Sequence, residues 1–335
     1  MRDDDVFDDG APLPDDLVRF EARLAALPLP AEPDWSAIPV APARVPAFPQ
    51  WSQALAIAAA VLVVLGLGIG WATSWPVEDL RGRAGYRGVA FAGRVGVGGS
   101  VVTDGATTAR MDVPGFGHVT LDPGGCVRRS RGKRGERRLE LEHGTLHAEI
   151  SAPPRLFVVG TRMGQAVDLG CAYTLTVDDS TKGKLEVTHG RVLFENGGLE
   201  SLVPAGLWCP LGETGAGVPR RSYASDGFLA AIALTDNMQC QTDDLVAILA
   251  HAEASDAITL WHLLPRVQGK ARRQVAERIA ALIEVPADVA LERVLALEPA
   301  ALEAWWNALG VGSYREWHGT GGGLKGKAPA GKTAR

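Results

Sequence analysis

The residues of this chain best suited to covalent chemistry are its cysteines, Cys126, Cys171, Cys209 and Cys240, and no two of them form a CxxC pair. A structural zinc site therefore lacks its usual ligand spacing, and no metal is expected. Cys171 stands in VDLGCAYTLTVD, where Val167, Leu169, Cys171, Tyr173, Leu175 and Val177 alternate with Asp168, Gly170, Ala172, Thr174, Thr176 and Asp178. That period of two reads as one half-buried strand with a thiol on its apolar face. His143 and His147 would share a face on a helix, but they straddle what reads as a hairpin turn in RLELEHGTLHAEI, and no HExxH pattern accompanies them. Seven basic residues crowd the segment from Arg128 to Arg138. Such a run is either a solvated hairpin tip or a contact for an anionic partner, the contact candidates being Arg128, Arg129, Arg131, Lys133 and Arg134. No aromatic residues interleave with it, so nucleic acid is not an expected partner. The chain has no GxSxG elbow, no Walker A loop and no GxGxxG after a strand. Neither catalysis nor a cofactor is expected.

The elements that must position these residues change character along the chain. Residues 1–50 are acidic, with Asp3, Asp4, Asp5, Asp8 and Asp9 clustered, and read as a largely disordered segment. Within it Leu17, Phe20, Leu24 and Leu27 recur at helical spacing and would face a partner rather than a core of their own. No charge occurs between Arg44 and Glu78, and Ala54 to Ala72 is almost continuously apolar. A helix over residues 51–75 is expected to cross a membrane, with Trp71 and Trp75 at the headgroup boundary. A linker over 76–87 follows. From 88 to 215 short alternating runs are broken by Gly, Pro and Asp, as in a hairpin-built all-β domain. From 222 to 318 Leu- and Ala-rich segments with short breaks read as a helical-repeat-like domain, and 319–335 is a flexible basic tail. In it the tryptophans Trp261, Trp305, Trp306 and Trp317 are expected to fill a core.

The β region resembles the FecR domain of membrane-bound sigma-factor regulators. The residues that carry the resemblance are GHVTLDPGGCVRR (117–129), LELEHGTLHAEIS (139–151), LFVVGTRMGQAVDLGCAYTLTVD (156–178) and GKLEVTHGRVLFE (183–195) running into VPAGLWC (203–209), within about residues 88–212. The fold class so implied is an all-β FecR-like domain plus an α-helical C-terminal domain, with one N-terminal transmembrane helix. The family implies a single-pass protein of the inner membrane, with its N-terminus cytoplasmic and its later domains periplasmic. Its partners would be an extracytoplasmic-function sigma factor, met by Leu17, Phe20, Leu24 and Leu27, and an envelope or outer-membrane protein. A second reading of the same elements is a membrane-tethered envelope scaffold without sigma-factor activity. In an oxidising compartment the cysteines would pair. Cys171 with Cys209, which follows the final strand, is the expected disulfide, though periodicity leaves Cys126 open as the partner and Cys240 unassigned.

Overall fold

A computed structural model of the chain describes residues 15–26, 50–79, 85–87, 93–133, 135–178, 181–196, 200–236 and 242–312. The chain forms two compact units, Met1–Ala60 and Val61–Arg335. Helix α1 (Asp15–Ala25) lies in the first, and helix α2 (Gln50–Thr73) runs from the first into the second.

The strands that follow are β1 (Trp75–Asp79), β2 (Gly85–Arg87), β3 (Arg94–Val95), β4 (Ser100–Val102), β5 (Ala109–Val113), β6 (Gly117–Leu121), β7 (Cys126–Ser130) and β8 (Arg137–Ile150). After them come β9 (Phe157–Thr161), β10 (Gly164–Asp168), β11 (Ala172–Val177), β12 (Gly183–His189), β13 (Arg191–Glu195), β14 (Glu200–Pro204), β15 (Leu207–Gly212), β16 (Gly215–Ala216) and β17 (Arg220–Arg221). Their pairings build two layers. One joins β1, β5, β6, β8, β11, β12, β15 and β17; the other joins β2, β4, β7, β8, β9, β10, β13 and β14. The sheet is mixed, because β8 and β9 run parallel while the other pairs are antiparallel. Alternation dictates which side chains enter the core. In β5 Ala109, Met111 and Val113 are buried, and in β11 Tyr173, Leu175 and Val177 are buried.

Hairpins β5–β6 and β11–β12 lie in the first layer, β9–β10 and β13–β14 in the second, and β8 belongs to both. Its first half pairs with β7 and β9, its second half with β6 and β11. The bend falls at Gly144, whose φ is +99° and whose absent Cβ would stand 2.5 Å from the Gly125 Cα. Only glycine fits there. His143 and His147 thus lie on one continuous strand bent into two layers rather than across a hairpin turn.

Helices α3 (Asp226–Asp236), α4 (Thr242–His251), α5 (Ala257–Leu263), α6 (Gly269–Leu282), α7 (Leu291–Leu295) and α8 (Pro299–Ala308) share one apolar core with the strands. His262 of α5 bonds the Leu202 carbonyl of β14 at 3.0 Å, and Arg266 donates to the Ala216 carbonyl at 3.0 Å and to Ser201 Oγ at 2.7 Å. Arg220 pairs with Asp236, and Arg221 with Asp256 at 3.1 Å. The bonds of His262 and Arg266 tie the helical part to β14, and those of Arg220 and Arg221 tie it to β17. Trp261, Trp305 and Trp306 are buried, the rings of Trp261 and Trp306 meeting edge to face at 4.9 Å. Trp317 and the tail lie outside the described residues.

The expectation of a transmembrane helix is corrected. Among the described residues no helix is long and apolar enough to cross a membrane. Trp75 does not stand at a boundary either: it begins β1 and is 2% exposed.

Candidate functional site

Helix α1 is short and amphipathic, and its apolar side chains are not buried. Val18 is 50% exposed, Phe20 58% and Leu24 51%. Phe20 and Leu24 are four apart and therefore lie one above the other on one face, while the side chain of Leu17 lies outside the described residues. Leu27 lies outside the described residues. A helix of eleven residues is marginal alone in water.

The segment from Val167 to Asp178, expected as one strand, is two. β10 lies in one layer and β11 in the other, and the chain passes between them at Leu169, Gly170 and Cys171. Gly170 has φ +89°, and Gly190, at the parallel crossing from β12 to β13, has φ +70° and would place a Cβ 2.2 Å from the Gly170 carbonyl oxygen. The two crossings pack backbone against backbone. Asp168, expected to face solvent, is instead 1% exposed. Its Oδ1 accepts from the Gly170 amide at 2.6 Å, and its Oδ2 accepts from Cys171 Sγ at 2.5 Å. Burial pushes the Asp168 carboxyl up to about 6, against the pull of the bonds from Cys171 and Gly170. Burial first, and then the Asp168 charge, pushes the Cys171 thiol far above its ordinary value. Tyr173 is buried nearby, its hydroxyl has no hydrogen-bond partner among the described residues, and burial raises its phenol strongly. A thiol held protonated in this way is a poor nucleophile.

The expected Cys171–Cys209 disulfide is corrected as well. Cys171 and Cys209 are free and buried, Cys126 is buried, and Cys240 lies outside the described residues. Strand register gives the reason. Cys209 stands opposite Leu185 of β12, which stands opposite Leu175 of β11. Two strand spacings across and four residues along separate Cys209 from Cys171 by about 16 Å, far beyond the roughly 7 Å a disulfide allows between Cα atoms. The Cys209 thiol is pushed up to about 12 by burial. The Cys126 thiol donates to Glu142 Oε2 at 3.4 Å, so it too has a polar partner other than sulfur.

The basic run forms the adjoining ends of β7 and β8. Arg131 and Lys133 are exposed, Arg128 is half-exposed with Glu142 at 3.5 Å, and Arg134 lies outside the described residues. Arg138 donates to Glu140 at 2.7 Å and to Gln165 at 3.0 Å. Arg129 faces inward and is 8% exposed, with its guanidinium 4.4 Å from the centre of the Trp75 ring. Burial lowers it to about 10. Arg128 and Arg129 differ because neighbours on a strand point to opposite faces. The run read as uniformly basic surface is thus a split one.

No family model matches the chain, and no curated protein matches it. The resemblance to the FecR domain therefore stands on the quoted residues alone. Among solved structures the chain is similar to a "putative anti-sigma factor" from Parabacteroides distasonis, in crystal structures at 1.65 Å and 2.50 Å resolution. The identity is 16% and the TM-score 0.32 in each case, over 39% of this chain. The chain covers 63% of that protein in the first structure and 62% in the second, less than two thirds of its length.

Proposed function

We propose that this chain regulates a sigma factor of the extracytoplasmic-function class, with α1 as the contact and the β body as the part that receives a signal. The observation that carries the reading is the apolar face of α1, where Phe20 and Leu24 are each more than half exposed on a helix too short to be stable by itself. Amphipathic helices of this kind dock by laying side chains three and four apart into a groove. The surrounding acidic residues favour a basic rim on the partner. The FecR-like order of hairpins supports the finer placement in that family of regulators. Action by binding rather than by catalysis is supported by Cys171 and Cys209, whose thiols are buried and held protonated. Arg128, Arg131 and Lys133 are the proposed contact for an anionic signal-bearing partner.

The test is co-purification of the full-length chain with a sigma factor identified by mass spectrometry, compared with the double variant Phe20→Asp, Leu24→Asp. Two apolar anchors at the centre of such a contact are each worth about 1–2 kcal/mol, so affinity should fall on the order of 30- to 1,000-fold. A sigma factor retained equally by the variant, or none retained by the parent chain, overturns the proposal.

A further inference from the structure

Helix α2 does not reach the β body through a flexible linker. It ends at Thr73, and Ser74 alone separates it from Trp75, the first residue of β1. Ser74 is 7% exposed and Trp75 2%. The last carbonyls of a helix have no partners within it and carry its negative dipole end, so they are natural seats for cationic donors. Two arginines from separate strands occupy those seats. Arg94 of β3 donates from Nε to Ser74 Oγ at 2.7 Å and from Nη2 to the Ser74 carbonyl at 2.6 Å. Arg129 of β7 donates from Nη1 to the Thr73 carbonyl at 2.8 Å and to the Val95 carbonyl at 3.0 Å, with Trp75 under its guanidinium. The Val95 bond matters because β3 pairs with β1 through Trp75 and Val95. One side chain therefore ties the helix end, β3 and β7 together.

Burying a charge among carbonyls and a ring is an expensive way to fill space, and an apolar side chain would cover Trp75 at lower cost. Arginine earns its place by directional bonds to the helix end. Its neighbour Arg128 lies on the opposite face of the same strand, half-exposed beside Glu142.

We propose that Arg94 and Arg129 form a clamp that makes the C-terminal end of α2 and the β body move as one rigid unit, with β7 as the strand that links exposed Arg128 to the helix end. The inference does not depend on the sigma-factor reading, because it concerns only how helix and sheet are joined.

The test is a spin-label distance measurement on the full-length chain carrying Cys240→Ser, with labels at Val64→Cys on α2 and Arg162→Cys on the turn between β9 and β10. The expected result is a narrow distance distribution in the parent chain, at least twofold broader in Arg129→Gln and in Arg94→Gln. Arg129→Lys, which keeps the charge but loses the forked donor, should fall between. A second label pair within the β body, Arg162→Cys with Glu213→Cys, should stay narrow in every variant and reports folding. If Arg129→Gln fails to fold, Arg94→Gln decides the matter, since it removes the Ser74 contacts and leaves those of Arg129 to Thr73 and Val95 in place. A distribution already broad in the parent chain, or one unchanged in folded clamp variants, overturns the proposal.

Discussion

Asp168 should make this protein less stable as pH rises from acid to neutral, the reverse of the usual behaviour of a bonded carboxylate. Its carboxyl is 1% exposed and pushed up to about 6 from an ordinary 3.8. Below 3.8 the group is protonated in both folded and unfolded chains and favours neither. Between 3.8 and 6 the folded chain holds the proton and the unfolded chain does not, so stability falls with rising pH and is lost once pH passes 6. The whole shift corresponds to about 3 kcal/mol at 1.36 kcal/mol per pH unit. Between pH 4.5 and 7.5, with both ionisations included, it is about 2 kcal/mol. Asp168→Asn keeps an oxygen for the Gly170 amide and removes the titration. Urea unfolding of both proteins at both pH values isolates the group from every other carboxylate. The parent chain should lose about 2 kcal/mol more than the variant over this interval. A difference near zero would mean that water reaches the carboxyl, and a difference of opposite sign would mean that a cation holds it charged.

Two further outcomes follow from the crossings. Gly190→Ala places a Cβ 2.2 Å from the Gly170 carbonyl at a φ of +70°, and should cost about 2 kcal/mol or more in chemical denaturation, whereas Gly206→Ala, at φ +83° with open space around it, should cost about 1 kcal/mol. Cys171 and Cys209 should resist alkylation in the native protein and react fully after denaturation without a reductant, as read by the mass of the labelled peptides; modification only after reduction would restore a disulfide.

The alternation of β5 and β11 could be read directly from the sequence, because a strand with one face in the core must repeat every two residues. What alternation does not encode is which layer a strand belongs to. The pattern of Val167 to Asp178 runs on through Gly170 although the chain changes layer there, so alternation puts Asp168 on the solvent side while it is buried. The same blindness made the bend of β8 at Gly144 look like a turn, and a glycine of positive φ after an apolar run was the one local signal for both. In sequence Arg129 is indistinguishable from its basic neighbours, because the groups that bind it, the carbonyls of Thr73 and Val95, lie 56 and 34 residues away. The disulfide failed on register, which spacing along the chain does not contain. On α1 the periodicity of Leu17, Phe20 and Leu24 was legible, since a helical stripe needs no distant partner to be seen.

The shared strand β8 bears on how the body comes apart. Fourteen residues of one strand supply ladder bonds to four neighbours in two layers, so neither layer has a complete set of its own. Amide protons along β8 should accordingly be among the slowest to exchange, and those on both sides of Gly144 should exchange at one common rate set by global opening. A cut in the chain at this bend would dissolve both layers together, which leaves the body no partly folded form in which a single sheet persists.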